Sequence, residues 1–224
     1  MKTETIKFDT AGGASSAYLT MPDEVGEDTK AVVLIHEYWG LADHIKDIAG
    51  RYADEGFICV APDLYRGKIT KDKEEAAQLM NNLKTEDGLD AIKNAIAKVR
   101  EKHEIENFGI TGYCMGGTFA FQGICHLEEG IKAAAVFYGD IPDEDTLKNL
   151  KGPVLFISGT KDEWINPGKV GGMEKIAERD MLPIESVKYE ADHAFFNDTR
   201  PEVYDEEAAK DAWSKVIAFF NENL

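Results

Sequence analysis

The chain is 224 residues long, 43% apolar and 30% charged, an ordinary balance for a soluble globular protein with one sizeable core. Its 42 acidic residues outnumber 25 basic ones, a formal net charge of −17, which sets it against nucleic-acid phosphate and anionic lipid as partners. No apolar run approaches the roughly 18 to 20 residues of a membrane span, and the opening MKTETIKFDT has no apolar stretch of the kind a signal peptide needs.

In chain order, TETIKF and SSAYLTM flank DTAGGA and predict a hairpin. AVVLIHE, FICVAPD, NFGITGY, IKAAAVFYG, GPVLFISG and IESVKYE follow as continuously apolar or β-branched runs, the pattern of strands covered on both faces. Helices are predicted between them: one from an Asp43 N-cap to Gly56, then 72–84, 86–102, 115–127, 167–180 and 203–222. In 86–102, Leu89, Ile92, Ile96 and Val99 fall on one face. Strand–helix alternation predicts an α/β fold, a mostly parallel sheet of about eight strands with helices on both faces. There is no repeat, low-complexity tract or Pro/Ser-rich linker, so 1–224 is read as a single domain. Three cysteines, Cys59, Cys114 and Cys125, form no C-x-x-C pair and no zinc-like spacing, and a reducing, cytoplasmic setting is expected.

In open α/β sheets ligands bind beyond the carboxyl ends of the strands, and four such ends carry Glu37, Cys114, Asp162 and His193. GITGYCMGG has the form of a strand, a sharp turn and a helix with a cysteine at the apex. The turn leaves room only for small flanking residues, which Gly112 and Gly116 supply. A helix N-terminus beside Cys114 favours a thiolate and an oxyanion. Cys59 and Cys125, mid-strand and mid-helix, are read as packing.

A thiol nucleophile needs a base and the base needs an orienting acid. The order Cys114, Asp162, His193 is the nucleophile–acid–base order of α/β-hydrolases. Asp162 has rivals in Glu163 and Asp192, and His193 has four in His36, His44, His103 and His126, of which His103 and His126 are expected to be solvated. His36-Glu37 resembles the start of H-E-x-x-H, but Gly40 stands where the second His belongs, so no metal site is expected. Glu37 itself reads equally as an ordinary loop carboxylate or as a group aimed into the site.

HEYWG, APDLYRG, GYCMGG, SGTKDEWINP and ADHAFFN occur in this order between His36 and Asn197. Together they resemble the dienelactone hydrolase (carboxymethylenebutenolidase) family of α/β-hydrolases. The resemblance implies a cofactor-free hydrolase of small lactones or carboxylic esters in which Cys114 attacks the carbonyl, His193 and Asp162 complete a triad, and the backbone N–H groups of Tyr38 and Met115 hold the oxyanion. It implies that Glu37 holds the resting thiol and helps to generate the thiolate when substrate binds. The family's best-known members clasp a substrate carboxylate with two arginines. Here those positions are Asn197 and Lys73, with Arg66 and Arg200 nearby in sequence at other positions, and a lysine has no bidentate fork. Tyr38 and Trp39 predict an aromatic wall for a bulkier acyl or alcohol group. The expected substrate-binding set is thus Trp39, Lys73 and Asn197, in a monomer or small homo-oligomer. Rival readings are a thioesterase or general carboxylesterase on the same triad, or a redox-sensing or ligand-binding module using Cys114.

Overall fold

Five of the six apolar or β-branched runs lie inside one sheet; IESVKYE, read as covered on both faces, is instead its edge strand, half-buried at best because it pairs on one side alone. In the computed structural model, which describes residues 1–26, 28–128 and 130–224, eight strands among the described residues pair in the order β1-β2-β4-β3-β5-β6-β7-β8. They are β1 (Lys2–Thr10), β2 (Gly13–Met21), β3 (Ala31–Ile35), β4 (Ile58–Pro62), β5 (Phe108–Tyr113), β6 (Ile131–Phe137), β7 (Val154–Gly159) and β8 (Ile184–Tyr189). The predicted hairpin forms β1 and β2, which are antiparallel to each other, and β2 runs antiparallel to β4; every other pairing is parallel. β3, β4, β5 and β7 are buried along their whole length, and β6 is buried except at Lys132.

Helices cover both faces because alternate residues of each strand point opposite ways. Ala31, Val33 and Ile35 of β3 join the core of α3 (Thr85–His103) and α4 (Met115–His126). Val32 and Leu34 join that of α1 (Asp43–Asp54) and α7 (Glu206–Asn223). The remaining helices are α2 (Lys73–Asn82), α5 (Glu144–Leu147) and α6 (Pro167–Asp180).

Side-chain caps set some of the helix starts and not others. Asp72, Asn166 and Asp205 cap α2, α6 and α7 through their carboxyl or amide oxygens. Asp43, expected as the cap of α1, is instead its first helical residue; Ala42 occupies the cap and makes no side-chain bond there. The segment 203–205 lies outside α7, because the Val203 and Tyr204 N–H groups turn back onto the Arg200 carbonyl. The four-residue α5, capped by Asp143, is too short to show a periodic apolar face and was not anticipated. No helix among the described residues is long and apolar enough to cross a membrane.

The strand order reverses at β3. The chain passes from β3 to β4 on one side, then crosses back to β5 on the other. A reversal of this kind opens a crevice at the carboxyl ends of the two diverging strands. Those ends, Ile35 and Tyr113, lead directly into Glu37 and Cys114.

Candidate active site

Cys114 occupies the sharp turn between β5 and α4 with φ 56° and ψ −120°. A residue with a side chain pays for such a conformation, on the order of 1–3 kcal/mol, and keeps it only where the surroundings enforce it. Here the Cys114 N–H donates to the Phe137 carbonyl at 3.1 Å and the Thr118 N–H donates to the Cys114 carbonyl at 3.1 Å. The two glycines allow the chain to close this tightly. A Cβ on Gly112 would stand 2.2 Å from the Gly116 carbonyl oxygen, and one on Gly116 would stand 2.2 Å from that of Ile35. Both obstacles are backbone, so neither can move aside.

Cys114 is buried, with 7% of the residue exposed. Burial, reinforced by the charges of Glu37 and Asp162, pushes the thiol up to about 12; the Met115 N–H at the head of α4 and the charge of Arg200 pull the other way. The resting group is therefore a neutral thiol despite the helix N-terminus beside it.

Glu37 follows β3 and is buried. Burial raises its carboxyl from 4.5 to about 7, against the opposing pull of Arg200 and of Asn197. The Asn197 amide donates to Glu37 Oε2 at 2.8 Å, while its own oxygen accepts from the Thr199 N–H at 3.0 Å and hydroxyl at 2.6 Å. Fixing the amide oxygen in this way commits the NH₂ to Glu37. His36 anchors the loop from below: its Nδ1 donates to the Glu37 carbonyl at 2.6 Å and its Nε2 accepts from the Leu64 N–H at 3.1 Å. With one nitrogen donating and the other accepting, the ring is neutral, consistent with burial lowering its pKa.

His193 and Asp162 meet across 2.6 Å, through Nδ1 and Oδ2. The other carboxylate oxygen accepts the N–H groups of Trp164 and Ile165 at 2.8 and 2.9 Å. Burial works to raise the Asp162 pKa, but the bond to His193, its charge and the two N–H groups outweigh it, and the net shift is downward. Glu163 and Asp192 are exposed. His193 Nε2 is buried and has no protein partner among the described residues, and the ring packs between Trp164, stacked at 5.5 Å, and Tyr138, tilted at 5.0 Å.

Cys114, Tyr138 and Trp164 line a common cavity of about 210 Å³, together with Met80, Leu83 and Phe119. Of the four residues singled out at strand ends, Cys114 lines the cavity, Glu37 and Asp162 lie near enough for their charges to act on it, and His193 is bonded to Asp162; the expected substrate-binding set does not line the cavity. Asn197 is buried as the partner of Glu37, Lys73 is exposed at the start of α2 near Glu202, and Trp39 packs against Tyr38 with the rings tilted and 4.3 Å apart. Of the other histidines, His126 is exposed as expected, whereas His103 is half-buried with Nε2 enclosed. Tyr138 escaped the sequence reading although it follows β6 as Cys114 follows β5, and its φ of 37° is a second non-glycine departure at the site. Applying the strand-end rule to IKAAAVFYG would have found it. Among the described residues no group of three or more His, Cys, Asp or Glu side chains is arranged to hold a metal.

Comparison with known proteins is in keeping with this geometry. A family model described as the dienelactone hydrolase family matches residues 15–224. The chain is 33% identical over 232 residues to the protein usf of Aquifex pyrophilus, covering 99% of each. It is 32% identical, with the same coverage, to a provisionally named carboxymethylenebutenolidase of Aquifex aeolicus (strain VF5). Among solved structures, a provisionally named dienelactone hydrolase from Klebsiella pneumoniae superposes with a TM-score of 0.90 at 27% identity, over 99% of each chain.

Proposed function

Because the chain belongs to the dienelactone hydrolase family, we propose that it hydrolyses lactones or carboxylic esters through an acyl-enzyme on Cys114, with His193 as base, Asp162 as its orienting acid and Glu37 as the acceptor of the thiol proton. The observation that carries this reading is the arrangement at the head of α4. A thiol on a strained turn faces a cavity, a buried carboxylate raises its pKa, and an imidazole with Nδ1 already committed to Asp162 keeps Nε2 unpartnered beside that cavity.

The chemistry follows from the charges. Two buried anions side by side are unfavourable, so at rest the proton stays on sulfur and Glu37 is the group that titrates near neutrality. When a carbonyl enters, the proton passes from Sγ to Glu37 and sulfur attacks carbon. A C–S bond forms and the carbonyl π pair moves to oxygen, where the N–H groups of Met115 and Tyr38 receive it; such donors contribute roughly 3–4 kcal/mol to the transition state. Collapse breaks the C–O bond. The alkoxide takes the proton back from Glu37, remaining tethered to the acyl group if the substrate was a lactone. His193 Nε2 then draws a proton from water, hydroxide attacks the thioester, and the departing thiolate recovers that proton.

A thiol held at about 12 is poorly suited to redox sensing, which relies on accessible, low-pKa cysteines. Replacing Cys114 with Ala is expected to abolish turnover of aryl esters and lactones while circular dichroism and thermal unfolding show the fold intact. Full activity in that variant would sink the proposal.

A further inference from the structure

The cavity beside Cys114 has a wall composition that bears on what the substrate carries. Met80, Leu83, Phe119, Trp164 and Ile165 make most of the lining apolar, and no lysine or arginine among the described residues contributes to it. The charged group that does is Asp140. Its backbone N–H is fixed on the Thr118 hydroxyl at 2.9 Å and its carboxylate receives Lys169 at 2.9 Å from the exposed side. Arg200, whose charge reaches both Cys114 and Glu37, directs Nε and Nη2 to Glu202 at 2.9 Å and is not part of the wall. A carboxylate entering the cavity would leave water for apolar side chains, meet Asp140 as a like charge and find each nearby cation already matched.

We propose that this cavity takes the uncharged, apolar portion of a neutral ester, and that Asp140 and the absence of a lining cation disfavour substrates bearing a carboxylate there. The proposal rests on the hydrolase reading at Cys114. It separates this chain from any enzyme built for a carboxylate-bearing lactone by the charge of one wall. Size adds a second limit. An apolar cavity of about 150 Å³ accepts benzene, so the cavity of about 210 Å³ suits a phenyl ring or a chain of about six carbons. Trp164, 47% exposed and stacked on His193, offers its indole as a flat outer wall for such a group.

The test is a set of kcat/KM values on the full chain. One arm lengthens the acyl group of p-nitrophenyl esters from acetate to butyrate to hexanoate; another lengthens the alcohol of alkyl acetates over the same range, so that the half of the substrate entering the cavity is identified. A third compares p-nitrophenyl valerate with p-nitrophenyl hemisuccinate, a carboxylate-bearing counterpart of similar length. The expected result is a rise with length in one of the first two arms and a preference of roughly tenfold or more for valerate over hemisuccinate. Asp140→Asn should narrow that preference severalfold, and Leu83→Trp should lower the hexanoate-to-acetate ratio in the responsive arm. Equal or faster turnover of hemisuccinate, or no gain with length in either arm, overturns the inference while leaving the hydrolase reading standing. No turnover of any ester by the unaltered protein would overturn both.

Discussion

Two buried carboxylates serve the same site and are held in opposite states. Asp162 accepts three hydrogen bonds, from His193, Trp164 and Ile165, and its pKa is driven down. Glu37 accepts one side-chain bond, from Asn197, and rises to about 7. Burial pushes both upward, so the difference lies in how many donors the loop brings to the carboxylate. A turn immediately after β7 wraps Asp162 with its own N–H groups, whereas the turn after β3 spends its donors elsewhere: the Gly40 N–H and His36 Nδ1 both go to the Glu37 carbonyl. One carboxylate is a fixed anion suited to orienting an imidazole. The other is poised to gain and lose a proton near neutral pH.

The contrast can be broken in order of expected effect. Asp162→Asn keeps an oxygen for the two N–H groups but cannot accept from His193 Nδ1, so the imidazole loses its tautomer; kcat/KM should fall by about 10⁴-fold with little change in far-UV circular dichroism. Glu37→Gln removes the proton acceptor. A loss of about 10²- to 10³-fold is expected, together with disappearance of the acid limb that the unaltered enzyme should show below about pH 7, where Glu37 becomes protonated. An unchanged pH profile in that variant would mean that another group takes the thiol proton. Asn197→Ala sharpens the comparison, since it takes away the bond that tempers Glu37. The acid limb should move to higher pH and the rate at pH 7 should drop roughly tenfold, recovering as the pH is raised.

The smallest effect is on stability, and its sign is opposite for the two groups. Glu37 holds its proton more tightly in the folded chain than in the unfolded one, so its contribution is fully present below pH 4.5 and is lost as the pH rises from 4.5 to about 7. Above pH 7 its buried charge costs up to about 3 kcal/mol. Asp162, with a lowered pKa, contributes stability above its unfolded value that is lost as the pH falls through the folded one. Glu37→Gln should therefore melt several degrees higher than the unaltered protein at pH 8 and show little difference near pH 4, by differential scanning calorimetry; an equal gain at both pH values would contradict the assignment. Higher stability with lower activity is the usual mark of a strained functional group.

Local patterns made much of this legible in the amino-acid order. The apolar runs that became β3 to β7 are buried because a strand covered on both faces needs no polar side. The glycines around Cys114 could be read as a sharp turn because close backbone contact excludes a Cβ, as the 2.2 Å approaches bear out. Asp162 and His193 could be paired by their order along the chain, although only the folded structure sets their rivals aside: Glu163 and Asp192 by exposure, His36 by its bonds to Glu37 and Leu64, and His44 by its contact with Asp198. Asn197, expected as a substrate contact, is the partner of Glu37 in the folded chain. Its bond to Glu37 spans 160 positions, and no spacing rule reaches that far.

The sequence by itself determined the alternation of strands and helices, the turn that lifts Cys114 above the sheet and the succession of chemically able residues at strand ends, since these depend on neighbours within a few positions. Only the tertiary structure decided the protonation of Glu37, the partner of Asn197, the sandwich of His193 between Tyr138 and Trp164, and the charge of the cavity wall. Each of those depends on which loops the strand order brings together and on how much water they exclude, and free energies of burial and pairing are properties of that assembled space.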